Sequence, residues 1–305
     1  MVEISAVIPI YNEEKNIIPL YTELKEVLDK LKKSYEIIFI NDGSTDRSEK
    51  ILNSIKDNNL KPIHFRRNCG QTAALDAGFK ASNGNIIITL DGDLQNDPKD
   101  IPKLISILDK GFDIVAGWRA KRKDTFSKRF ISKGAKFLRR VILNDKLKDS
   151  GCTLRAYKKE CIQNLDLYGE MHRFIHIILS MRGFKIAQTK VNHRKRIAGV
   201  TKYNASRTIK SFLDMLLLNF WIKYSTRPIH LLGGTGLLSG TIGSLILLYL
   251  IFIKIFLNAA IANRPLLLLS IFFIIIGFLF LMFGILADIL VKIYYKENTP
   301  YTIKK

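Results

Sequence analysis

Two aspartates, Asp91 and Asp93, stand one residue apart in the stretch TLDGDLQNDPKDIP, directly after the apolar run Ile86-Ile87-Ile88. Neighbouring carboxylates repel one another, so this spacing is costly unless a cation lies between them. Mg²⁺ and Mn²⁺ prefer oxygen ligands and also accept phosphate oxygens. The pair therefore predicts a site where a divalent ion neutralises a diphosphate group. A solvated turn is the alternative, but Asp97-Pro98 predicts the cap of the next helix and leaves the earlier pair available for a metal.

Alternating strand and helix patterns over the first 120 residues place this pair in a βαβ series. Apolar runs predict strands at Ile4–Ile10, Tyr35–Ile40, Pro62–Phe65, Ile86–Leu90 and Phe112–Ala116. Helical spacing predicts helices at Glu13–Lys33 after an Asn12 cap, Asp46–Lys56, Gln71–Ala81 and Pro98–Lys110. The fold class is therefore α/β, with a largely parallel sheet covered by helices on both faces. Ligands bind beyond the carboxyl ends of such strands, so PIYNEE, NDGSTD and DGDLQND should meet at one edge.

Two of the remaining stretches predict ligand contacts at that edge. Asp42 in NDGSTD can accept hydrogen bonds from a base or ribose, and Asn68 and Gly70 stand at a helix start, a natural position beside phosphate. The spacing of the histidines fits no metal site and favours surface or interface roles for His172, His176 and His193.

The C-terminal part holds two uncharged apolar runs, 231–253 and 265–287, each of 23 residues. As helices they would each span roughly 30 Å, the thickness of a bilayer core, which favours two membrane spans over two buried helices of a soluble protein. The short loop between them carries only Lys254 and Arg264. The positive-inside rule therefore places both termini in the cytoplasm. Three cysteines without a CxxC pair fit a reducing compartment and argue against zinc.

Charge points to an anionic partner. The chain carries +21, most of it in residues 1–230, which suggests nucleic acid, an acidic lipid surface or a phosphorylated substrate. Residues 117–140 contain ten Lys or Arg and one acid, interleaved with apolar residues, and predict contact with an anionic bilayer or a lipid phosphate rather than a merely solvated helix. No recognition motif for nucleic acid accompanies the charge, so that partner is excluded.

These features predict three parts: a cytoplasmic domain at 1–205, an amphipathic juxtamembrane helix at 206–228, and a two-helix transmembrane hairpin at 229–305 with a cytoplasmic tail. In the first span, Gly236 and Gly240 form a small-residue face. Such a face predicts close packing against either the second span or another copy of the chain in a homo-oligomer.

The stretches VIPIYNEE, NDGSTD, RNCGQTAALDAG and DGDLQNDP occur in the order and spacing of family-2 glycosyltransferases with the GT-A fold, which the chain resembles over nearly its whole length. DGDLQNDP, GEMHRF and RIAGVTKY resemble the polyprenyl-phosphate branch, which includes dolichyl-phosphate mannosyltransferases and undecaprenyl-phosphate sugar transferases. The resemblance implies transfer of mannose, glucose or a related hexose from a GDP- or UDP-sugar to dolichyl or undecaprenyl phosphate. It implies inversion at the sugar, on the cytoplasmic face of the cell membrane.

The resemblance also implies roles residue by residue. The nucleotide-sugar site comprises Pro9, Tyr11, Glu13, Ile40, Asp42, Asp91, Gly92, Asp93, Gln95, Arg196 and Lys202, with Asn68 and Gly70 added by their position at a helix start. Mg²⁺ or Mn²⁺ is expected on Asp91, Asp93 and Gln95, which with Arg119 form the catalytic set. The acceptor phosphate is expected on Arg119, Arg129, Ser132, Arg196 and Lys202.

The excess of basic residues is consistent with the chemistry of a phosphate acceptor. A lipid phosphate is already ionised near neutral pH, with a second pKa of about 6, so it needs charge compensation and alignment more than a general base. Asp149 and Glu170 either orient the sugar, act as a base or serve the structure. One alternative is a processive polysaccharide synthase, which the lack of a Gln-x-x-Arg-Trp element opposes. Another is a non-catalytic adaptor for anionic lipids, which the intact set of Asp91, Asp93 and Gln95 opposes.

Overall fold

A computed structural model of the chain describes residues 2–120, 138, 140–143, 145, 147–163, 165, 167, 169–195, 206–258, 260–261 and 265–297. The chain divides into two compact units, Met1–Leu216 and Leu217–Lys305. The domain limits 1–205, 206–228 and 229–305 stay predictions.

The first unit contains a seven-stranded sheet. Its strands are β1 (Ile4–Ile10), β2 (Tyr35–Asn41), β3 (Leu60–His64), β4 (Ile86–Thr89), β5 (Ile114–Arg119), β6 (Arg155–Lys158) and β7 (Ile186–Val191). They lie in the order β3-β2-β1-β4-β6-β5-β7. β6 runs antiparallel to β4 and β5, and the remaining neighbours pair in parallel. The predicted α/β fold with a mostly parallel sheet is confirmed.

Helices cover both faces of this sheet. They are α1 (Ile17–Lys30), α2 (Ser48–Ser54), α3 (Gln71–Ala81), α4 (Ile101–Leu108), α5 (Lys159–Ile162) and α6 (Ile175–Met181). Alternation along β1 divides the core: Ile4 and Ile8 pack in one hydrophobic cluster with α1 and α4, whereas Val7 packs in a second with α3 and α6. Because successive side chains of a strand face opposite sides, one apolar run supplies both clusters.

The start of α1 differs from the prediction. The helix begins at Ile17, and Asn12, with a φ of 54°, lies in the left-handed region outside it, so the predicted Asn12 cap is wrong. The backbone N–H of Asn12 donates to Ser44 Oγ at 2.9 Å, and its side-chain oxygen accepts from the Thr45 N–H at 2.8 Å. These tertiary bonds hold the residue in a loop. The Asp97 cap is confirmed, because its carboxylate accepts from the Lys99 N–H at 3.1 Å.

The C-terminal part is helical, with α7 (Ser206–Tyr224), α8 (Ile229–Phe256) and α9 (Pro265–Glu297). Both α8 and α9 are long and apolar enough to cross a membrane. Their large side chains mostly remain exposed, as at Leu268 (73%) and Phe256 (69%). A core helix of a soluble protein would bury such residues, so the exposed surface favours a lipid environment.

Glycines bring α8 and α9 into backbone contact. A β-carbon on Gly277 would lie 2.6 Å from Gly240 N and 2.7 Å from Gly236 O, and one on Gly243 would lie 2.7 Å from Ser270 O. Small residues allow two helices to approach this closely. The sequence left two partners open for the glycine face, and the structure shows that it packs against the second helix. We call α8 and α9 the apolar hairpin.

Candidate active site

Several loops meet where the strands of the central sheet end. Pro9 of β1 pairs with Ile40 of β2, and Val7 pairs with Thr89 of β4, so the loops after these parallel strands leave the sheet on one side. β6 runs in the opposite direction, and its first residue, Arg155, lies beside Thr89. The segment before β6, and those after β5 and β7, therefore reach the same side. We call it the carboxyl edge. The predicted meeting of PIYNEE, NDGSTD and DGDLQND is confirmed.

The loops after β1 and β2 are fastened to each other by hydrogen bonds. Besides the two bonds of Asn12, the Glu13 N–H donates to Ser48 Oγ at 3.1 Å and the Glu14 N–H to Asp46 Oδ2 at 3.1 Å. The Arg47 N–H returns a bond to Glu14 Oε2 at 3.1 Å. These bonds tie the loop after β1 to the segment that follows β2. Tyr11 and Glu13 are placed on this rigid platform rather than on a free loop.

Asp42 holds a third loop, residues 68–70, through hydrogen bonds to its carboxylate. Asp42 is only 4% exposed, and its carboxylate accepts hydrogen bonds from the Cys69 N–H at 2.7 Å, the Gly70 N–H at 2.9 Å and Asn68 Nδ2 at 3.0 Å. Gly43 has a φ of +61°, and a β-carbon there would lie 2.2 Å from the Arg67 carbonyl carbon, so no larger residue fits this approach. Asp42 thereby holds the segment before α3 in place.

Asp91 and Asp93 lie close together at the end of β4. Gln71 Nε2, in the first turn of α3, donates to Asp91 Oδ1 at 2.9 Å. Asp93, 7% exposed, accepts from the Gln95 N–H at 3.1 Å. Desolvation, with the adjacent Asp93 charge, raises the pKa of Asp91 to about 6, although Thr153, Arg119 and Gln71 oppose the rise.

The donor set suits a hard divalent ion. The Asp93 charge disfavours ionisation of Asp91, so a cation bound between the two carboxylates would relieve this repulsion, and both offer the oxygen ligands that such an ion prefers. Gly92 allows the turn to pack directly against β1. A β-carbon at this position would lie 2.5 Å from Ile10 Cδ1 and 3.1 Å from Pro9 O. Within the described residues no group of three or more His, Cys, Asp or Glu could hold a metal. The remaining ligands would therefore come from phosphate or water, as is usual for Mg²⁺.

Arg119, at the end of β5, is committed to an ion pair. Its Nε and Nη2 donate to the two oxygens of Asp149 at 2.7 and 2.9 Å, with side chains only 14% and 12% exposed. The pKa of Arg119 is raised, since the pairing with Asp149 outweighs desolvation. Buried Arg155 supports the same loop, donating to the carbonyls of Cys152 at 2.8 Å and Ser150 at 2.6 Å. Asp149 is thus fixed by a planar fork.

The predicted site residues fall into three groups. Loop or edge positions are occupied by Pro9, Tyr11, Glu13, Asp42, Asn68, Gly70, Asp91, Gly92, Asp93, Gln95 and Arg119. Ile40 is fully buried in the cluster beneath α3, so its side chain belongs to the core. Arg129, Ser132, Arg196 and Lys202 lie outside the described residues. The binding roles of all of them stay predictions.

Two residues that contact Asp91 were not predicted, and three that were predicted have structural partners. Gln71 and Thr153 both orient Asp91, yet Thr153 stands 58 residues beyond Gln95 in a segment without a local signal. His172 bonds Thr72 Oγ1, in the first turn of α3, at 2.7 Å. His176, expected near a surface or interface, is 1% exposed and lies 3.3 Å from Asp145 Oδ1, so that expectation is wrong. Glu170 pairs with Arg173 at 3.2 Å.

Sequence comparisons find similar proteins over nearly the whole chain. The family model for Glycosyl transferase family 2 matches residues 5–166. The dodecaprenyl-phosphate galacturonate synthase of Rhizobium johnstonii is 38% identical, over 97% of this chain and 90% of that protein. The undecaprenyl-phosphate 4-deoxy-4-formamido-L-arabinose transferase of Proteus mirabilis is 32% identical, over 99% of this chain and 93% of that protein. Both alignments include the apolar hairpin.

Solved structures share the fold. Glucosyl-3-phosphoglycerate synthase from Mycobacterium tuberculosis, in complex with Mn²⁺ and UDP-glucose, superposes with a TM-score of 0.57 at 20% identity. The match covers 74% of this chain and 81% of that one. At this identity the likeness shows the fold.

Proposed function

Since the chain belongs to glycosyl transferase family 2 and is a glycosyltransferase, we propose that it moves a sugar from a nucleotide sugar to a polyprenyl phosphate at a membrane surface. Family membership sets aside the non-catalytic adaptor. Both named relatives carry a polyprenyl phosphate in their names and match nearly the full length of the chain. Acceptor class is therefore inferred from relatives, whereas the chemistry is inferred from the site.

The observation that carries the chemistry is the meeting of Asp91 and Asp93 with the loops of Asp42 and Gly70 at the carboxyl edge. A bound Mg²⁺ or Mn²⁺ would supply charge neutralisation for the departing nucleoside diphosphate. Asp91 and Asp93 would hold that ion, with Gln95 beside them. Support comes from the fold neighbours, one of which contains Mn²⁺ together with UDP-glucose.

The chain's own residues would position the donor. The platform of the first two loops presents Tyr11 and Glu13, and Asp42 fixes the backbone of Asn68 and Gly70 at the first turn of α3. Backbone N–H groups at such a turn favour anions, which suits the diphosphate side of a nucleotide sugar. Gln71 and Thr153 would keep Asp91 oriented toward the ion.

The acceptor would need no strong general base. Its phosphate is ionised at neutral pH, so the reaction depends on aligning a phosphate oxygen behind the anomeric carbon. A single displacement of this kind inverts the anomeric centre. Arg119 is already paired with Asp149, so it would act through that fixed carboxylate and not as an unpaired cation. The basic stretch 117–140 would supply the remaining positive charge.

The decisive experiment incubates the full chain in detergent with Mn²⁺, a short polyprenyl phosphate and a donor panel. The panel contains UDP-galacturonate, UDP-4-deoxy-4-formamido-L-arabinose, UDP-glucose and GDP-mannose, because the relatives use sugars beyond simple hexoses. We expect nucleoside diphosphate release and a glycolipid with one donor when lipid phosphate is present. The matched acceptor control is the polyprenol without phosphate, which should give neither. If no donor yields a glycolipid, the proposal is overturned.

We also propose that the apolar hairpin spans the membrane and that the first unit faces the cytoplasm, because most of the basic residues lie outside the hairpin and few lie at the loop between its helices. The cysteines offer a test. Cys69 is exposed, whereas burial raises the pKa of Cys152 to about 11 and of Cys161 to about 12, which suppresses their thiolates. A membrane-impermeant maleimide should label inside-out vesicles and spare right-side-out ones, and Cys69→Ser should abolish the labelling. The reverse pattern would contradict this orientation.

A further inference from the structure

Residues after β7 are bound to residues 91–97, which carry Asp91 and Asp93 and which we call the aspartate loop, although about a hundred residues separate the two segments in sequence. His193 forms an antiparallel bridge with Asn96. The Arg194 N–H donates to the Gln95 carbonyl at 2.9 Å. The backbone of 193–194 therefore acts as a short extra strand alongside residues 95–96. This contact supports the loop.

The Arg194 side chain adds two charged bonds from the same position. Its Nη2 donates to Asp97 Oδ1 at 2.7 Å, and its Nη1 donates to Glu23 Oε2 at 2.6 Å. The Arg194 side chain is 29% exposed, and the side chains of Asp97 and Glu23 are 11% and 35% exposed. Asp97 also caps the turn that begins at Pro98. One side chain thus connects the end of the aspartate loop to α1.

The aspartate loop needs such support because its backbone is unfavourable. Leu94, between Asp93 and Gln95, has a φ of +60°, a region that side chains other than glycine rarely adopt. Such a conformation persists only where the surroundings hold it. Two bonds hold the residues around Leu94. The Asp93 carboxylate accepts from the Gln95 N–H, and Asn96 Nδ2 donates to Thr153 Oγ1 at 2.9 Å. Together with the bonds from Arg194 and His193, these contacts hold the loop in this conformation.

We propose that Arg194 is a positioning residue for the divalent-cation site: it holds residues 93–97 so that Asp91 and Asp93 are arranged before the ion and the donor diphosphate bind. The inference rests on the proposed function, because it presumes that this pair binds a metal with a nucleotide. Arginine is required since its rigid fork reaches two carboxylates on different elements, whereas a lysine would serve one of them. Loss of the fork would let Leu94 relax and Asp93 turn.

The primary test is calorimetric binding of Mn²⁺ with UDP, and separately with GDP, to the full chain in detergent. Changes to residues that orient metal ligands typically weaken metal binding about 10–100-fold. We expect Arg194→Gln to raise the dissociation constant about tenfold. In the transfer assay, kcat at saturating Mn²⁺ should change less than the Mn²⁺ concentration for half-maximal rate. Arg194→Lys should recover part of the affinity.

The matched control is Lys158→Gln. Lys158 forms an ion pair of similar exposure with Asp113, at 2.8 Å, beside the opposite end of β4. This variant should lose comparable thermal stability while its Mn²⁺–nucleotide affinity stays at the wild-type value. An equal loss of affinity in Lys158→Gln would overturn the inference, because the effect would then be a general consequence of lower stability.

Further outcomes separate this inference from the proposed function. If the wild type binds neither Mn²⁺–UDP nor Mn²⁺–GDP, the proposed function and the inference both fail. If the wild type binds one of them and Arg194→Gln binds it equally well, the inference alone fails. Should Arg194→Gln not fold, Glu23→Gln removes one arm of the fork and leaves the Asp97 bond. An affinity loss in Glu23→Gln would support the inference, and unchanged affinity would overturn it.

Discussion

The carboxyl edge and the apolar hairpin achieve close packing by different means. At the edge, directional polar bonds join loops that are distant in sequence, such as Gln71 to Asp91 at 2.9 Å and Arg119 to Asp149 at 2.7 Å. In the hairpin, the helices touch through glycine backbones, and the large side chains point outward. One region depends on which polar atoms a residue carries, and the other on whether a residue has a side chain at all.

This difference predicts which substitutions each region tolerates. An isosteric change from carboxylate to amide leaves shape intact, so it should affect the edge through chemistry while stability changes little. Adding one methyl group changes little chemistry, so it should affect the hairpin through shape alone. The sharpest tests therefore use an isosteric change in the first region and a single added carbon in the second.

The largest effect is expected from Asp93→Asn. The amide keeps the volume of the side chain but removes one of two negative charges offered to a divalent ion. We expect kcat/KM for sugar transfer to fall at least about 100-fold, in the range found when one electrostatic group of an active site is removed. The measurement is glycolipid formation from the productive donor at fixed Mn²⁺.

Asp76→Asn is the control for this variant. Asp76 lies on α3 and pairs with Lys80 one helical turn later, a surface pair of about 0–1 kcal/mol. Its activity should remain within about twofold of wild type, as expected for so weak a pair. A residual activity of Asp93→Asn above half of wild type would remove Asp93 from the metal site.

The second effect concerns the hairpin. A β-carbon on Gly236 would lie 2.7 Å from Gly277 O, whereas one on Gly234 would meet nothing within 4 Å. Gly236→Ala should therefore cost about 1–3 kcal/mol through overpacking. Gly234→Ala should be neutral or stabilising by up to about 1 kcal/mol, because alanine is the better helix former. Thermal unfolding of the helical signal in detergent measures both.

We expect Gly236→Ala to melt below the wild type and Gly234→Ala to melt at or above it. If Gly236→Ala melts at or above the temperature of Gly234→Ala, the helices do not pack through this face. A change in molecular mass without a change in melting temperature would instead assign the face to contact between copies of the chain.

Local sequence patterns predicted the parts of the fold whose causes are local. β1 matches its predicted bounds, and α3 does also, because each is a continuous apolar or amphipathic run between turn residues. β6 gave no such signal: it is the four-residue stretch RAYK, and its pairing of Arg155 with Thr89 joins positions far apart in sequence. Its place between β4 and β5 is decided by tertiary packing.

The site shows the same division. Asp91 and Asp93 were found because their spacing is itself the signal, and Asp42 because it follows a strand. Arg155 and Gln71 were missed, since their tasks are to hold a loop carbonyl and a carboxylate that only the folded chain brings near. Asn12 was assigned to a helix cap because the local pattern allows it, and bonds to Ser44 and Thr45 overrode that preference.

The smallest effect is a pH dependence that belongs to the edge alone. In the metal-free protein the pKa of Asp91 lies near 6, above its ordinary value of 3.8, because burial and Asp93 disfavour the charged form. The folded state therefore binds this proton more tightly than the unfolded state, so lowering the pH from 7 to 5 should stabilise the metal-free protein. Mn²⁺ competes with the same proton, so its affinity should fall by about tenfold per pH unit below 6.

Other shifted carboxylates titrate outside this window. The pKa values of Glu36, Asp46, Asp57 and Asp113 are lowered, so the stability they contribute is lost only as the pH falls below about 4.5. Asp91→Asn should therefore abolish the gain in melting temperature between pH 7 and pH 5 without affecting the loss at lower pH. Two results would contradict this prediction: a metal-free wild type that is less stable at pH 5 than at pH 7, or the same gain in Asp91→Asn. Either would show that the repulsion between the two carboxylates does not distinguish the edge from the hairpin.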